Sequence, residues 1–327
     1  MRAAVIVERD GRRELEVVDD LPDPVPGEGE LLVRVGAAGL NRADLVMPLR
    51  HRHGTGFSGP AIAGNEFAGT VEACGPGADR FSMGDRVMGF GASTFAELTA
   101  IDHRHVFPVP AGMDWETAAA YPVAVETMHD AIVINGRLAA GESILFLGAG
   151  SGVGIVGIQI AKATGASLVL GASRSQDRLS RLAAFGMDDG IDVTDPDWPD
   201  RVRSLTGGKG VDLVVDMVSG PTVNASMKAT AVRGRIVNVG RLGGMTGEFD
   251  FDLHALKRLN YVGVTFRTRS DDEIADIVDR AWADLGGAIE SRVLSLPIHA
   301  AFPLDAVADA YAEMRRDSHL GKIVIVP

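Results

Sequence analysis

A chain of 327 residues with a net charge of −12 and no visible basic patch offers little to the phosphates of nucleic acid. Hydrophobic content of 46% and charged content of 23% are ordinary for a globular protein, and the length suits two domains that each bury a core. No apolar run spans a bilayer, the stretch Met1–Val7 is too short for a secretory core, and the single cysteine, Cys74, allows neither an internal disulfide nor a cysteine-rich zinc lobe, so a cytoplasmic protein is expected.

In chain order, residues 1 to about 120 hold short alternating segments broken by Gly and Pro, such as 30–36, 69–73, 85–89 and 94–100, which predicts a compact antiparallel, barrel-like domain. From about 121 to 264 the pattern changes to strands at 144–147, 168–171, 212–216, 235–239 and 261–265, with helices at 153–164, 176–185 and 221–230. Such alternation predicts a parallel, doubly wound sheet with right-handed crossovers. Its ligand edge lies at the strand C-termini, which brings Gly148–Gly154, Ser173, Met217–Ser219 and Gly240–Arg241 into one crevice. The tail from about 265 to 327 ends in Gly321-Lys-Ile-Val-Ile-Val326, read as a strand returning to the first domain.

The stretch Ser143-Ile-Leu-Phe-Leu-Gly-Ala-Gly-Ser-Gly-Val-Gly154 passes from buried strand through a glycine-rich turn into a helix. Backbone N–H groups around Gly150, Ser151, Gly152 and Val153, with the positive end of the helix dipole, suit a phosphate. A Cβ there would block the turn and the approach of a pyrophosphate. The spacing is not a strict GxGxxG, and an ordinary strand–helix turn is the alternative.

The next apolar run ends in Ser173-Arg174-Ser175, with Arg178 one turn later. An acidic residue there would accept from the 2′-hydroxyl of NAD, whereas hydroxyls and guanidiniums suit a 2′-phosphate, so NADPH is expected over NADH. The alternative is that Arg174 and Arg178 are solvated charges at a helix start.

These features, with Gly39-Leu-Asn-Arg-Ala-Asp44, Gly64-Asn-Glu-Phe-Ala-Gly-Thr-Val71, Gly84-Asp-Arg-Val-Met-Gly89, Val211-Asp-Leu-Val-Val-Asp216 and His319-Leu-Gly-Lys-Ile-Val324, resemble the medium-chain dehydrogenase/reductase superfamily, in its zinc-free quinone oxidoreductase branch. The resemblance covers essentially the whole chain. It implies an α/β protein with a GroES-like, mainly β catalytic domain (1–120 with 265–327) and a Rossmann NADPH-binding domain (121–264).

Zinc-dependent relatives place cysteine where this chain has Asn41 and histidine where it has Asn65, and an amide oxygen is a poor substitute for either ligand. His51 and His53 can face one side of an extended loop, but no further ligands accompany them, so activity without metal is expected. What the branch implies instead is hydride transfer from the nicotinamide to a quinone or an α,β-unsaturated carbonyl, with the protein stabilising developing enolate charge.

The resemblance gives Asn41 a donor role toward nicotinamide ribose or substrate carbonyl, and matches Thr127 to the family threonine near the nicotinamide. Val218, Val239, Gly240 and Arg241 would flank the nicotinamide carboxamide, and Phe266 would lie beside the cofactor. Arg267 is either a pyrophosphate contact or an interdomain ion pair, and Lys322 either a cofactor contact or a surface charge. Asp44 is read as structural, as are Tyr121 and His129.

One departure is the missing tyrosine after the Asn-Arg-Ala-Asp motif. Met47-Pro-Leu-Arg-His-Arg-His-Gly54 stands there, with His51 and His53 as replacement donors or the whole segment as a solvated lid. The apolar strand at 261–265 would expose an edge unless it pairs with a symmetry mate, so a homodimer is expected. Two competing functions are an enoyl-thioester reductase, with Arg50, Arg52 and the two histidines meeting a phosphate arm, and a non-catalytic NADPH-binding protein, as some lens crystallins of this branch illustrate.

Overall fold

The computed structural model describes residues 1–9, 12–45 and 60–327. It divides into two compact units, the first made of Met1–Val123, Asp271–Ser291 and Leu296–Pro327 and the second of Ala124–Ser270 and Arg292–Ser295. His51, His53 and the rest of the 47–54 segment lie outside the described residues.

The first unit opens with β1 (Ala3–Arg9), β2 (Arg12–Val18), β3 (Glu30–Leu40), β4 (Glu66–Cys74), β5 (Arg86–Phe90), β6 (Leu98–Asp102) and β7 (Val106–Pro108), then a short helix α1 (Trp115–Ala118) and the start of α2 (Pro122–His129). In β3, Leu31, Val33 and Val35 are buried while Arg34 is exposed, the period-two pattern of a half-buried strand. Two register shifts against β4, at Leu32/Val33 and Val35/Ala37, bend the pair.

In the second unit β8 (Ser143–Leu147), α3 (Gly152–Ala163), β9 (Leu168–Ser173), α4 (Gln176–Leu182), β10 (Asp189–Asp192), α5 (Trp198–Leu205), β11 (Val211–Asp216), α6 (Val223–Ala229), β12 (Thr230–Asn238), α7 (Phe251–Lys257) and β13 (Asn260–Gly263) follow in turn. All six strands run parallel in the order β10-β9-β8-β11-β12-β13, a doubly wound sheet that reverses between β8 and β11. Every residue of β8 is buried, as a central parallel strand covered on both faces requires. Strand β10 was not expected, because Asp189-Gly-Ile-Asp192 offers a single apolar side chain; its pairing with β9 supplies what the sequence lacks. Helix α4 tightens after Leu182 into a 3₁₀ turn, and Gly186 at φ 98° ends it. Strand β13 is an edge, as expected, but shorter than 261–265.

The chain returns to the first unit through α8 (Asp271–Glu290), β14 (Ile298–Pro303), α9 (Val307–Arg316) and β15 (Lys322–Val326). Strand β15 is the expected returning strand: it pairs antiparallel with β3 and parallel with β14, completing a sheet of order β14-β15-β3-β4-β5-β7, with β6 also on β3. Leu31, Val33, Phe67, Phe95 and Ile323 share its core with Val307, Tyr311 and Met314 of α9. Among the described residues no helix is long and apolar enough to cross a membrane.

Candidate active site

In the second unit the chain leaves β8 at Gly148, whose φ of +85° favours glycine, and the N–H groups of Gly148 and Ala149 donate to the Ala172 carbonyl at the end of β9. Ser151 caps α3: its hydroxyl donates to the Gly148 carbonyl at 3.0 Å and accepts the Gly154 N–H at 3.1 Å. The cap therefore uses the Gly154 amide and leaves Gly152 and Val153 in the first helical turn, where no intrahelical acceptor exists. No acidic residue stands in that turn. A Cβ at Gly154 would strike the Ala149 backbone, and one at Gly150 would lie 2.9 Å from Cδ of Arg178.

That last contact bears on the guanidiniums. Arg174 is exposed, but Arg178 is half-buried with its stem laid on the turn, so it is not simply a solvated charge. Ser175 caps α4 by accepting the Arg178 N–H at 3.3 Å, and the Ser173 hydroxyl accepts the Ser175 N–H at 3.1 Å. Both hydroxyls keep their O–H donors.

The loops after β11 and β12 are stitched beside this turn. The buried Asp216 carboxylate accepts the N–H groups of Val218 and Ser219 at 2.8 and 2.9 Å, and burial pushes its pKa up against those bonds. Ser219 donates to the Gly240 carbonyl at 2.7 Å, and Gly243 N–H to the Val218 carbonyl at 2.7 Å. Val239 and Gly240 N–H groups both donate to the Asp216 carbonyl, and a guanidinium N–H of Arg241 to the Val239 carbonyl at 3.3 Å. A Cβ at Gly148 would come within 3.5 Å of Met217, so Gly148, Met217–Ser219 and Gly240–Arg241 do meet at one sheet edge.

Past β13, Arg269 rather than Arg267 forms an ion pair with a buried acid. It donates to the buried Asp130 at 2.8 Å and lies 5.7 Å from the Phe266 ring, within the second unit. Arg267 is exposed and bonds only weakly to its neighbour Thr265, at 3.3 and 3.4 Å. Asp130 opens a π-helical turn, Asp130–Asn135, that continues α2; within α2 only Val123 and Thr127, one turn apart, are not buried. Tyr121 and His129 are buried, in keeping with structural roles.

The first unit contributes a buried polar cluster that no local pattern announces. Ile323 pairs with Leu40 across β15 and β3, so one step further Lys322 meets Asn41; Phe67 pairs with Ala38, so Glu66 meets Gly39. The Lys322 ammonium donates to Asn41 Oδ1 at 2.8 Å and forms an ion pair with Glu66. Asn41 Nδ2 donates to Glu66 Oε2 at 2.8 Å, and the other Glu66 oxygen accepts the Val123 N–H of α2 at 2.7 Å. Lys322 is 5% exposed, so it is no surface charge, and its ammonium is committed to Glu66 and Asn41. Asp44 accepts the Asn41 backbone N–H at 2.7 Å and a bond from Asn65, the structural role foreseen for it. Burial drives the Asp44 pKa from 3.8 to about 7 despite those bonds and Lys322, and burial raises Glu66 against the same ammonium.

Two family models match the chain, the alcohol dehydrogenase GroES-like domain over residues 27–111 and the zinc-binding dehydrogenase over 152–282. The zinc in that description finds no fit among the described residues. Both Asn41 and Asn65 amides are engaged in hydrogen bonds, an ammonium sits among the acceptors, and no group of three described His, Cys, Asp or Glu residues is poised for a metal.

Rat quinone oxidoreductase is 27% identical over 332 residues, covering 100% of this chain and 98% of its own. Erythronolide synthase EryA2 of Saccharopolyspora erythraea is 31% identical over 312 residues, 95% of this chain, which spans 8% of that synthase. Among solved structures, a mycobacterial protein complexed with NADPH superposes with TM-score 0.88 at 26% identity, and an NAD-dependent alcohol dehydrogenase with TM-score 0.82 at 30%, both over 100% of either chain. The β-rich first unit and the doubly wound second unit are the GroES-like and Rossmann-like halves of that architecture. On motif, fold and full-length similarity together, the chain belongs to the medium-chain dehydrogenase/reductase superfamily, in its quinone oxidoreductase-like branch.

Proposed function

We propose that this oxidoreductase binds NADPH and, without zinc, reduces a quinone or an α,β-unsaturated carbonyl. The observation that carries the reading is the turn at the head of α3, where open first-turn amides stand beside an arginine stem laid on Gly150. Gly150, Ser151, Gly152 and Val153 hold the diphosphate, and Ser173, Arg174 and Arg178 meet the 2′-phosphate. Val218, Val239, Gly240 and Arg241 line the nicotinamide end with Phe266, Arg267 reaches the diphosphate, and Thr127 and Asn41 orient the bound ligand. The nicotinamide, when bound, supplies the hydride. Asn41 N–H stabilises negative charge at an acceptor oxygen or fixes the nicotinamide ribose. His51 and His53 remain the candidate proton donors. The exposed edge strand β13 supports pairing across a two-fold axis into a homodimer.

Similarity to erythronolide synthase EryA2 supports a second reading, reduction of an enoyl thioester. Purified, chelator-treated protein incubated with NADPH or NADH and with a quinone, a simple enone or a crotonyl thioester separates the possibilities. Oxidation of NADPH by quinone or enone is expected. Turnover of the thioester alone transfers the reading to the second class. Tight NADPH binding with no acceptor oxidising it leaves a binding protein, and activity that chelation abolishes and zinc restores ends the metal-free reading.

A further inference from the structure

We propose that Lys322 is a positioning residue that sets the orientation of the Asn41 carboxamide and strengthens its remaining N–H donor. The inference rests on the reading above in which Asn41 donates to the bound ligand. An asparagine amide can be turned either way, and its two partners here have fixed and opposite roles. Lysine only donates, so Oδ1 faces the ammonium at 2.8 Å; a carboxylate only accepts, so Nδ2 faces Glu66 at 2.8 Å. One orientation satisfies both.

Among the described residues the second Nδ2 proton has only the Gly39 carbonyl at 3.4 Å, too long to hold it well. Lys322 and Glu66 are buried whereas Asn41 is half-exposed, so of the three only Asn41 is open to a ligand. An ammonium bonded to the amide oxygen draws electron density from the nitrogen and sharpens that N–H as a donor. The pair is braced in turn, since Glu66 Oε1 accepts from Val123 and strand register fixes the Lys322 backbone.

The test compares N41A, K322M/E66Q and the triple variant by kcat, KM for the quinone and the NADPH Kd, with thermal unfolding to confirm folding. Removing both charges avoids stranding a buried Glu66. N41A is expected to lower either kcat/KM or NADPH affinity on the order of a hundred-fold. K322M/E66Q should move the same parameter at least about ten-fold, and the triple variant should fall no more than about two-fold below N41A. Should N41A fall while K322M/E66Q keeps wild-type kinetics, or should the two losses multiply, the role of Lys322 is overturned and that of Asn41 stands. Should N41A itself be silent, both fall. Were K322M/E66Q not to fold, the wild-type Asn41 side-chain amide resonances, assigned by their loss in N41A, decide. One Nδ2 proton shifted far downfield of ordinary asparagine side-chain amides supports the proposal, and a pair at ordinary shifts overturns it.

Discussion

Two glycines of the same turn should respond oppositely to one added methyl group. In Gly154→Ala the new Cβ meets the carbonyl oxygen, carbonyl carbon and Cα of Ala149, all backbone and all closer than real Cβ atoms come. Relief requires α3 to retreat from the β8 turn, and overpacking of this kind costs about 1–3 kcal/mol. The amides that would hold a diphosphate retreat with it. In Gly150→Ala the new Cβ meets Arg178 Cδ at 2.9 Å, and that flexible stem reaches ordinary contact by giving way roughly half an ångström. Stability should change by less than about 0.5 kcal/mol, as for a substitution the surroundings absorb. Urea unfolding gives the first quantity, and nucleotide titration by protein fluorescence gives the second. Gly154→Ala is expected to weaken NADPH and NADH alike, because both carry the diphosphate. Gly150→Ala should weaken NADPH more than NADH, because it shifts only the residue assigned to the 2′-phosphate. Wild-type affinity for both nucleotides in Gly154→Ala would refute the cradle, and an equal loss for both in Gly150→Ala would refute the assignment of Arg178.

Removing both guanidiniums, as Arg174→Ala with Arg178→Ala, should cost NADPH about 1.5–3 kcal/mol, roughly ten- to a hundred-fold, for each charged bond lost, with NADH little changed when the two are titrated side by side. The Asp44 carboxyl, raised from 3.8 to about 7, binds more protons folded than unfolded, so its stabilisation is full below about pH 4 and is lost as pH rises through about 7. Relative to wild type, Asp44→Asn should therefore gain stability from about pH 5 to about pH 8, by a few kcal/mol, read from urea midpoints across that range. Replacing Arg269 by Met strands the buried Asp130, which should cost about 3–5 kcal/mol at neutral pH and less in acid, where protonation relieves the lone carboxylate; a cost independent of pH would contradict the ion pair.

What the sequence makes legible is local. The glycine turn, the strand–helix alternation after residue 121 and the Asn41–Asp44 motif each declare themselves within a dozen residues, and each is found in the structure. The Lys322–Glu66 pair is not local: 256 positions separate its members, and only the antiparallel registers of β15, β3 and β4 bring them together. A faint signal existed, since Glu66 and Lys322 are charges of opposite sign that each stand first in a strand, Lys322 in an otherwise apolar one. The same reason hid Arg269, whose partner Asp130 lies 139 positions away. Helix α8 does carry a local signature: Asp271-Asp272-Glu273 suits a helix N-terminus, and Ile274, Ile277, Val278, Ala281 and Leu285 keep helical spacing behind it.

The polar cluster also separates two consequences of pH that are usually confounded. Asp44, Glu66 and Lys322 bury two carboxylates and one ammonium, and each isolated charge would cost several kcal/mol. Lys322 and Glu66 offset one another directly. Among the described residues Asp44 has amide donors but no cation within hydrogen-bond reach, so it reduces its cost by taking up a proton near neutrality. That proton weakens the bonds to the Asn41 backbone and to Asn65, while the Asn41 carboxamide stays fixed by Lys322 and Glu66, contacts that Asp44 does not make. Stability should therefore slope through pH 7 while kcat/KM shows no inflection that depends on Asp44. An inflection near pH 7 that disappears in Asp44→Asn would mean that the carboxyl itself acts on the ligand, and the division of labour between a held carboxamide and a structural acid would have to be abandoned.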